Sequence, residues 1–289
     1  MHPAHTMSPT TIPRMLYGTA WKADATASLV YTALCAGFRG IDTACQPKHY
    51  NEAGVGRGIQ RFLSSPDGCR REDLYIQTKY TPISGQDIGR PLPYDTASSL
   101  SEQVLQSVAT SLQNLGVDYI DAVLLHSPLP TLQDTITVWR ALHGLTVADG
   151  GAAKIRMIGI SNVSLDVLRA LIDATGIHPV VVQNRFYAAT GYDVTLREYL
   201  REHGIVYQSF WTLTANDGFF TSPTLREVAR TRGVSLVSAV YGMVLNEGVC
   251  ILNGTTNEAH MHEDLKLLDH NPVRGHVFPQ VLNEMGGLA

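Results

Sequence analysis

The stretch that decides the fold reads LYIQTKY at residues 74–80, SLSEQVLQSVATSLQNLG at 99–116 and DAVLLHSP at 121–128. The two outer segments are short and apolar and rich in residues that favour strands. The middle segment has the apolar spacing of a helix. A strand, a helix and a second strand in this order predict a parallel pair joined by a crossover helix.

The same alternation extends over nearly the whole chain. Further strands are predicted at LYGTA (16–20), GIDTA (40–44), MIGISN (157–162), VVVQN (180–184), IVYQSF (205–210) and VCILNG (249–254). Helices are predicted between them at 24–38, 51–63, 131–145, 164–176, 194–204 and 225–233 and from about 257 onward, the first with Asp24 as its N-cap.

Eight such strand-then-helix units in about 250 residues predict a single-domain (β/α)8 TIM barrel over residues 12–289, with a short C-terminal tail. An open, doubly wound sheet is the competing prediction. Residues 1–11 are predicted to form a flexible N-terminal extension, because they are polar and lack the apolar core of a signal peptide.

Composition excludes several classes of function. The net charge is −4 and Lys and Arg do not cluster, so no nucleic-acid partner is expected. No apolar run is long enough to span a membrane. The four cysteines are scattered without CxxC spacing, as in reduced intracellular thiols, so we expect a cytoplasmic protein. We expect it to be a monomer or a weak homo-oligomer.

Three consecutive predicted strands end on side chains that carry chemistry: Asp42, Lys79 and His126, with Tyr50 in the loop that follows Asp42. Taken singly, each has a structural interpretation, since strand ends are wet and loops collect polar groups. In a barrel, however, the carboxyl ends of all strands face one cavity. Meeting there, the four side chains could form a proton donor beside a carbonyl.

An ammonium group about 4 Å from a phenol stabilises the phenolate by roughly 4 kcal/mol at an effective dielectric constant near 20. On this argument Lys79, held in its charged form by Asp42, is expected to lower the pKa of Tyr50. His126 could donate a hydrogen bond to the substrate oxygen. The four residues together predict an acid that protonates an oxygen as negative charge develops on it.

The chain resembles the aldo-keto reductase family in segments that occur in the family's order: GIDTACQPKHYNEAGVG, IQTKY, LLHSP, IGISN, VVVQN and GIVYQSFWTL. The resemblance runs from residue 16 to about residue 265. It implies a barrel enzyme that transfers hydride between a nicotinamide cofactor and an aldehyde or ketone. It also implies a catalytic tetrad of Asp42, Tyr50, Lys79 and His126, in which Tyr50 is the general acid.

The resemblance implies NADPH as cofactor, with NADH possible. Ser161, Asn162 and Gln183 match the residues that hold the carboxamide, and Phe210 stands where an aromatic ring stacks on the nicotinamide. The remaining positions predicted to bind cofactor are Trp211, Asn253, Gly254, Thr255, Thr256, His260, Glu263 and Asp264, the last two near adenine. Trp21, Tyr80 and Tyr187, with Trp211, are predicted to line the substrate site, although core packing also explains the tryptophans.

The match departs from the family in three places. Tyr50 lies further beyond Asp42 than is usual, so the loop is longer, and the adjacent Lys48 and His49 are rival proton donors. Asn253 and His260 stand where many relatives carry cations for the 2′-phosphate, which weakens the prediction of NADPH preference. The short tail predicts an open substrate pocket.

Other functions stay open at this stage. A cofactor-binding regulatory subunit of the same fold, or a reductase acting on an imine or a conjugated C=C bond, fits much of the same pattern. The run His260-Met-His262-Glu263-Asp264 suggests a metal-dependent hydrolase, although early strand ends offer no matching ligands. AGVGRG (53–58) has the glycine spacing of a dinucleotide loop but follows no strand, so we assign it no such role.

Overall fold

The protein is described here by a computed structural model that covers residues 11–146 and 153–286. Its centre is a closed barrel of parallel strands in the order β1-β2-β3-β4-β5-β6-β7-β8. The predicted TIM barrel is therefore confirmed, and the open doubly wound sheet is excluded. The strands are β1 Met15–Gly18, β2 Gly40–Asp42, β3 Tyr75–Tyr80, β4 Ile120–Leu125, β5 Ile155–Ser161, β6 Val181–Arg185, β7 Val206–Phe210 and β8 Cys250–Asn253.

Helices surround the barrel, and all but the last two connect successive strands. They are α1 Thr26–Ala36, α2 Glu52–Leu63, α3 Leu100–Leu115, α4 Leu132–Gly144, α5 Leu165–Thr175, α6 Val194–Glu202, α7 Pro223–Arg232, α8 Leu236–Asn246, α9 Glu258–Lys266 and α10 Phe278–Glu284. Several begin at polar residues that cap them. Ser99, for example, forms a capping box with Glu102 at the start of α3, and the side chain of Asn51 accepts a hydrogen bond from the Gly54 amide at the start of α2.

The predicted N-cap at Asp24 is wrong. Asp24 lies inside a short 3₁₀ helix, Ala23–Ala25, and α1 begins only at Thr26. The reason is the turn that precedes it, where Trp21 and Ala23 adopt left-handed backbone angles with φ of 62° and 45°. The chain thus changes direction just after β1, which leaves Trp21 and Lys22 at the rim of the barrel.

Helix α8 was not predicted from the sequence. Its residues 238–245 are all buried, between the outer helices and the barrel. A helix that is apolar on every side shows no amphipathic period, so the pattern that reveals the other helices is absent. The predicted short tail likewise contains a further helix, α10. The predicted N-terminal extension falls, apart from residue 11, outside the described residues.

The strand period of two divides β3 between the two sides of the barrel wall. Tyr75, Gln77 and Lys79 face the barrel interior, whereas Ile76 and Tyr80 belong to the core between the barrel and the helices. The same period of two places Val181, Gln183 and Arg185 on one face of β6, the face toward the barrel interior. The interior is apolar at its lower end, where Leu16, Tyr75, Ala122, Leu124, Val181 and Cys250 pack together, and polar toward the carboxyl ends of the strands.

The glycines of the AGVGRG segment serve helix packing. The segment lies in α2, and a Cβ atom added at Gly56 would stand 2.2 Å from the backbone oxygen of Asn114 on α3. A Cβ atom at Gly58 would stand 2.7 Å from the backbone oxygen of Ala27 on α1. These glycines therefore permit the backbone of α2 to pack directly against the backbones of both neighbouring helices. This packing explains the glycine spacing of the segment, and no nucleotide-binding role is needed.

We expect Gly56→Ala to destabilise the protein by about 1–3 kcal/mol, because a methyl group at that position collides with backbone that cannot rotate away. The matched control is Gly144→Ala at the end of α4, where an added Cβ meets nothing within 4 Å. That change is expected to be neutral or to stabilise by about 0.5 kcal/mol. Urea denaturation of both variants measures the difference, and equal stabilities would contradict the packing argument.

Candidate active site

The loop between β2 and α2 delivers Tyr50 to the barrel rim. Its extra residues fold into a turn in which the amides of His49 and Tyr50 both donate to the carbonyl oxygen of Gln46, at 3.2 and 3.1 Å. The side chain of Gln46 is anchored to the carbonyl of Gly85 at 2.6 Å. The Trp21 amide also donates to the carbonyl of His49 at 2.8 Å. The longer loop is thus absorbed by a turn, and Tyr50 remains beside the strand ends.

Lys79 and Asp42 form a buried ion pair beneath the rim. Lys79 Nζ lies 2.8 and 2.7 Å from the two carboxylate oxygens and 2.9 Å from the carbonyl oxygen of Thr43, so its three hydrogens are all engaged. Both charged side chains are almost fully buried, with 1% and 2% exposure. Two charges in such an interior require nearly complete hydrogen bonding to be tolerated.

A layer of glutamines completes the hydrogen bonding of Asp42. Its Oδ1 accepts from Gln77 Nε2 at 2.6 Å and from Gln183 Nε2 at 2.9 Å. Gln208 accepts from both of these amides, at 2.8 and 2.9 Å, and Tyr75 donates to Gln77 at 2.7 Å. Gln183, predicted as a carboxamide contact, therefore also orients the carboxylate. The network holds Asp42 in one position inside the barrel.

Tyr50 lies above this pair, with Lys79 Nζ 5.5 Å from the centre of its ring. The expected lowering of its pKa is wrong for this structure. Burial raises the pKa of Tyr50 above its ordinary value near 10, and the carboxylate of Asp42 raises it further. The hydrogens of Lys79 point to Asp42 and Thr43 instead of the phenol. The environment of Tyr50 therefore favours the neutral, protonated phenol, which can donate a hydrogen bond.

His126 is also neutral. Burial lowers its pKa to about 3, and the charges of Lys79 and His49 contribute. Its Nδ1 lies 2.7 Å from the hydroxyl of Thr81. If that hydroxyl donates to Nδ1, the single imidazole hydrogen is on Nε2. The rings of His126 and Tyr50 meet edge to face at 6.2 Å, so two neutral donors stand side by side.

A cleft of about 900 Å³ opens at the carboxyl ends of the strands and brings most of the predicted residues together. Asp42, Tyr50 and His126 line it, while Lys79 supports Asp42 from below. The predicted residues that share this lining are Trp21, Ser161, Asn162, Gln183, Phe210, Trp211, Gly254, Thr255, His260, Glu263 and Asp264. Most of the predicted catalytic and cofactor positions thus border a single cavity.

The carboxamide positions lie together at the ends of β5 and β6. The Ser161 hydroxyl donates to the carbonyl of Gln183 at 2.6 Å, and Asn162 Nδ2 donates to the carbonyl of His126 at 2.9 Å. Asn162 is exposed and adopts a left-handed backbone angle, φ 54°, which turns its side chain back toward the barrel. These polar groups and the ring of Phe210 line the same cleft.

The end of β8 differs in part from the prediction. Asn253 is fully buried, and its side chain is occupied by Asp264 at 2.7 Å and by the Thr255 amide at 2.9 Å. Its side chain therefore does not line the cleft, unlike the neighbouring Gly254 and Thr255. Thr256 is exposed outside the cleft lining, whereas the exposed His260 borders it.

Two of the predicted substrate residues lie elsewhere. Tyr80 is 1% exposed in the core outside the barrel, because Lys79 faces inward and the next residue on a strand must face the other way. Tyr187 lines a neighbouring cleft of about 720 Å³, which shares Asn162 and Arg185 with the first. Trp21 and Trp211 do line the main cleft, with 68% and 48% exposure, and Trp21 stacks on His49 at 3.8 Å.

Sequence reasoning missed several lining residues. Ser235, Val237 and Tyr241 come from the start and middle of α8, which the pattern did not reveal. Lys22 follows a predicted strand and bonds the carbonyl of Gly254. The position of Arg185, two residues beyond Gln183 on the same face of β6, could have been recognised from strand period alone. The loop residues Thr212, Leu213 and Thr214 follow β7 directly.

The suggested metal site is not assembled. His260 is exposed, and His262 lies 3.9 Å from Glu258 on the same helix. Within residues 11–146 and 153–286, no three His, Cys, Asp or Glu side chains are arranged to hold a metal ion. In the same ranges no helix combines the length and apolarity needed to cross a membrane.

The fold and the cleft define a barrel enzyme with a buried Asp–Lys pair beneath a tyrosine and a histidine. A family model described as the aldo/keto reductase family matches residues 15–279. The chain therefore belongs to the aldo/keto reductase family and is an oxidoreductase, as its resemblance predicted.

Individual relatives agree with this assignment. The chain is 30% identical over 240 residues to the uncharacterized oxidoreductase YtbE of Bacillus subtilis (strain 168), covering 83% of this chain and 77% of that protein. It is 30% identical over 219 residues to 2,5-diketo-D-gluconic acid reductase B of Corynebacterium sp. (strain SHS752001), covering 76% and 70%. The crystal structure of an aldo/keto reductase from Brucella melitensis is 27% identical, with a TM-score of 0.76 and coverage of 94% and 95%. The match thus extends over most of each protein.

The buried carboxyl of Asp264 predicts a dependence of stability on pH. Burial raises its pKa from about 3.8 to about 6, although the hydrogen bond from Asn253 opposes this. Between these values the folded state binds more protons than the unfolded state, so this group makes the free energy of unfolding fall as pH rises from about 4 to about 6. The full effect is up to about 3 kcal/mol.

Asp264→Asn removes this ionisation. We expect its free energy of unfolding, relative to that of the wild type, to be greater at pH 7 than at pH 4 by up to about 3 kcal/mol. Urea denaturation at several pH values measures this difference in the free energy of unfolding. Asp24→Asn is the control, because Asp24 is exposed. Parallel pH profiles for wild type and Asp264→Asn would contradict the assigned environment of Asp264.

Proposed function

We propose that the protein reduces an aldehyde or ketone to an alcohol with NADPH, and that Tyr50 is the general acid. The observation that carries the proposal is the position of Tyr50 and His126, two neutral donors on the rim of a cleft, directly above the Asp42–Lys79 pair. Family membership supports the reaction class. One relative is named for reduction of a diketo sugar acid, which is consistent with a carbonyl substrate.

The residues fit a nicotinamide cofactor. Ser161, Asn162 and Gln183 offer polar groups for a carboxamide, and the face of Phe210 offers a stacking surface in the same cleft. Lys22 stands near Gly254 at the opposite end, where a diphosphate could gain a cationic contact. When bound, the cofactor supplies the hydride that converts a carbonyl carbon to an alcohol carbon.

The protein's own groups manage the proton. His126 Nε2–H and the Tyr50 hydroxyl orient the carbonyl oxygen by hydrogen bonds. As negative charge accumulates on that oxygen, Tyr50 transfers its proton to it, because only then is the oxygen the stronger base. The charge of Lys79 stabilises the phenolate that remains, while Asp42 and the glutamine layer keep the ammonium in place. Before the reaction, the raised pKa of Tyr50 keeps the phenol protonated until the substrate oxygen becomes negative.

Tyr50→Phe tests the general acid. We expect kcat/KM for an uncharged aldehyde to fall by about 10²–10⁴-fold, the usual contribution of a positioned proton donor. NADPH binding, followed by quenching of protein fluorescence, is expected to change by less than about threefold, since the ring is retained. His49→Ala is the comparison for the rival donor and is expected to retain most of the activity. Near wild-type turnover by Tyr50→Phe, or a greater loss in His49→Ala, would reject the assignment.

Cofactor discrimination is proposed to be modest. Residues 254–265 contain no Lys or Arg. Of the two histidines in this segment, His260 borders the cleft. A 2′-phosphate therefore lacks a fixed guanidinium or ammonium on this segment. We expect kcat/KM for NADPH to exceed that for NADH by well under about a thousandfold. His260→Arg is expected to raise the NADPH value by about tenfold and to leave the NADH value unchanged, whereas a wild-type ratio above a thousandfold either way would disprove the proposal.

A further inference from the structure

Arg185 occupies a prominent position in the cleft that the reaction described above leaves unexplained. It is the last residue of β6 and pairs in register with Phe210, the last residue of β7. The pair two residues below, on the same face, is Gln183 with Gln208, which belongs to the polar layer around Asp42. Strand period therefore places the base of the Arg185 side chain on the interior face of the barrel, and the residue lines the same cleft as Tyr50 and His126.

Aromatic rings hold the guanidinium in place. Its central carbon lies 4.1 Å from the ring centre of Trp211, 5.1 Å from that of Tyr187 and 5.9 Å from that of Phe210. Trp211 reaches this position from a left-handed backbone angle, φ 57°, which is uncommon for a bulky residue. Contacts with ring faces stabilise a cation and leave the hydrogens along its edge free to bind a ligand.

Among the residues that the structure describes, no acid neutralises this cation. Within residues 11–146 and 153–286, the guanidinium makes no ion pair, and its Nε is buried without an acceptor. The carboxylates on either side are already engaged. Asp42 is bound by Lys79, and Asp193, which borders the neighbouring cleft, accepts from Asn184 at 2.8 Å and from Tyr207 at 2.9 Å. A half-buried arginine with unused donors on the lining of a cleft is well placed to bind an anionic ligand there.

We propose that Arg185 binds the carboxylate of the substrate, so that the protein prefers aldehydes or ketones that carry an acid group. The inference rests on the proposed carbonyl reduction and names its substrate class. A carboxylate suits this guanidinium because it can accept two parallel hydrogen bonds from the planar edge. With its carboxylate held at Arg185, a short oxo acid keeps its carbonyl within the cleft that Tyr50 and His126 line.

The dinucleotide's own diphosphate is the other anion that could use this residue. The positions matched to the phosphate and adenine half of the cofactor lie at Gly254 and beyond, after β8. Arg185 ends β6, and β7 separates the two strands in the barrel. Lys22, which bonds Gly254, is the cation on that side. This separation favours the substrate as the partner of Arg185, and the experiment below distinguishes the two.

The test compares succinic semialdehyde with butanal, which have chains of equal length with and without a carboxylate. For Arg185→Ala we expect kcat/KM to fall by about 10- to 100-fold for the acid, as for a lost hydrogen-bonded ion pair, and by less than about threefold for butanal. Arg185→Lys keeps the charge but not the paired donors and is expected to lie between. Arg169→Ala is the matched control, because Arg169 also stacks on a ring, that of Tyr199 at 5.0 Å, but lies on α5 outside both clefts.

Binding is measured without turnover as well. The dissociation constant of benzoate for the protein with NADP⁺ is expected to rise at least tenfold in Arg185→Ala, while that of benzamide stays within about threefold. The dissociation constant of NADPH, from fluorescence quenching, is expected to stay within about threefold. Wild-type values for Arg169→Ala and an intact circular dichroism spectrum for Arg185→Ala show that the effect is local.

The outcomes separate this inference from the proposed function. Equal losses for the acid and for butanal, or unchanged benzoate binding, would overturn the role of Arg185 while carbonyl reduction stands. A tenfold weaker NADPH affinity in Arg185→Ala, with no change in the preference for the acid, would assign the residue to the cofactor diphosphate instead. If the wild type reduces neither aldehyde, the proposed function fails, and the benzoate measurement still decides whether the cleft binds carboxylates at Arg185.

Discussion

The structure of the site depends on one buried ion pair, that of Lys79 with Asp42. Placing two charges inside a barrel costs several kcal/mol for each ion unless every donor and acceptor finds a partner. Here the ammonium uses all its hydrogens on Asp42 and Thr43, and the carboxylate also accepts from Gln77 and Gln183. The glutamine layer is therefore a requirement of the pair, and it explains why the upper barrel is polar while the lower barrel is apolar.

Burial, reinforced by the charges of this pair, keeps the two titratable groups above it neutral. The positive charge of Lys79 helps keep His126 neutral, and the negative charge of Asp42 helps keep the phenol of Tyr50 protonated. Tyr50 and His126 therefore offer hydrogen-bond donors without a charge of their own, which suits an oxygen that becomes negative only during the reaction.

Those features of the fold and the site that produce a local pattern in the sequence could be predicted, and the others could not. The alternation of strands and helices is a local pattern, so the barrel and the meeting of Asp42, Tyr50 and His126 in one cleft followed from it. Helix α8 has no polar face and left no periodic signal. The strand period could have shown that Tyr80 faces away from the barrel interior, because Lys79 faces inward. The prediction instead placed Tyr80 at the substrate site because it is aromatic. The pKa of Tyr50 could not be predicted, because it depends on burial and on where the hydrogens of Lys79 point.

The two halves of the cleft differ in how fully their polar groups are hydrogen-bonded within the protein. On the β2–β4 side, Asp42 and Lys79 are saturated by bonds within the protein, and His126 is tied through Nδ1 to Thr81. Saturated groups keep their geometry before any ligand arrives, which is what a catalytic arrangement requires. On the β6–β7 side, Arg185 keeps unused donors, and Phe210 and Trp211 border the open cleft. Unsatisfied groups gain the most when a ligand binds, so selectivity among carbonyl compounds is expected to be decided on this second side.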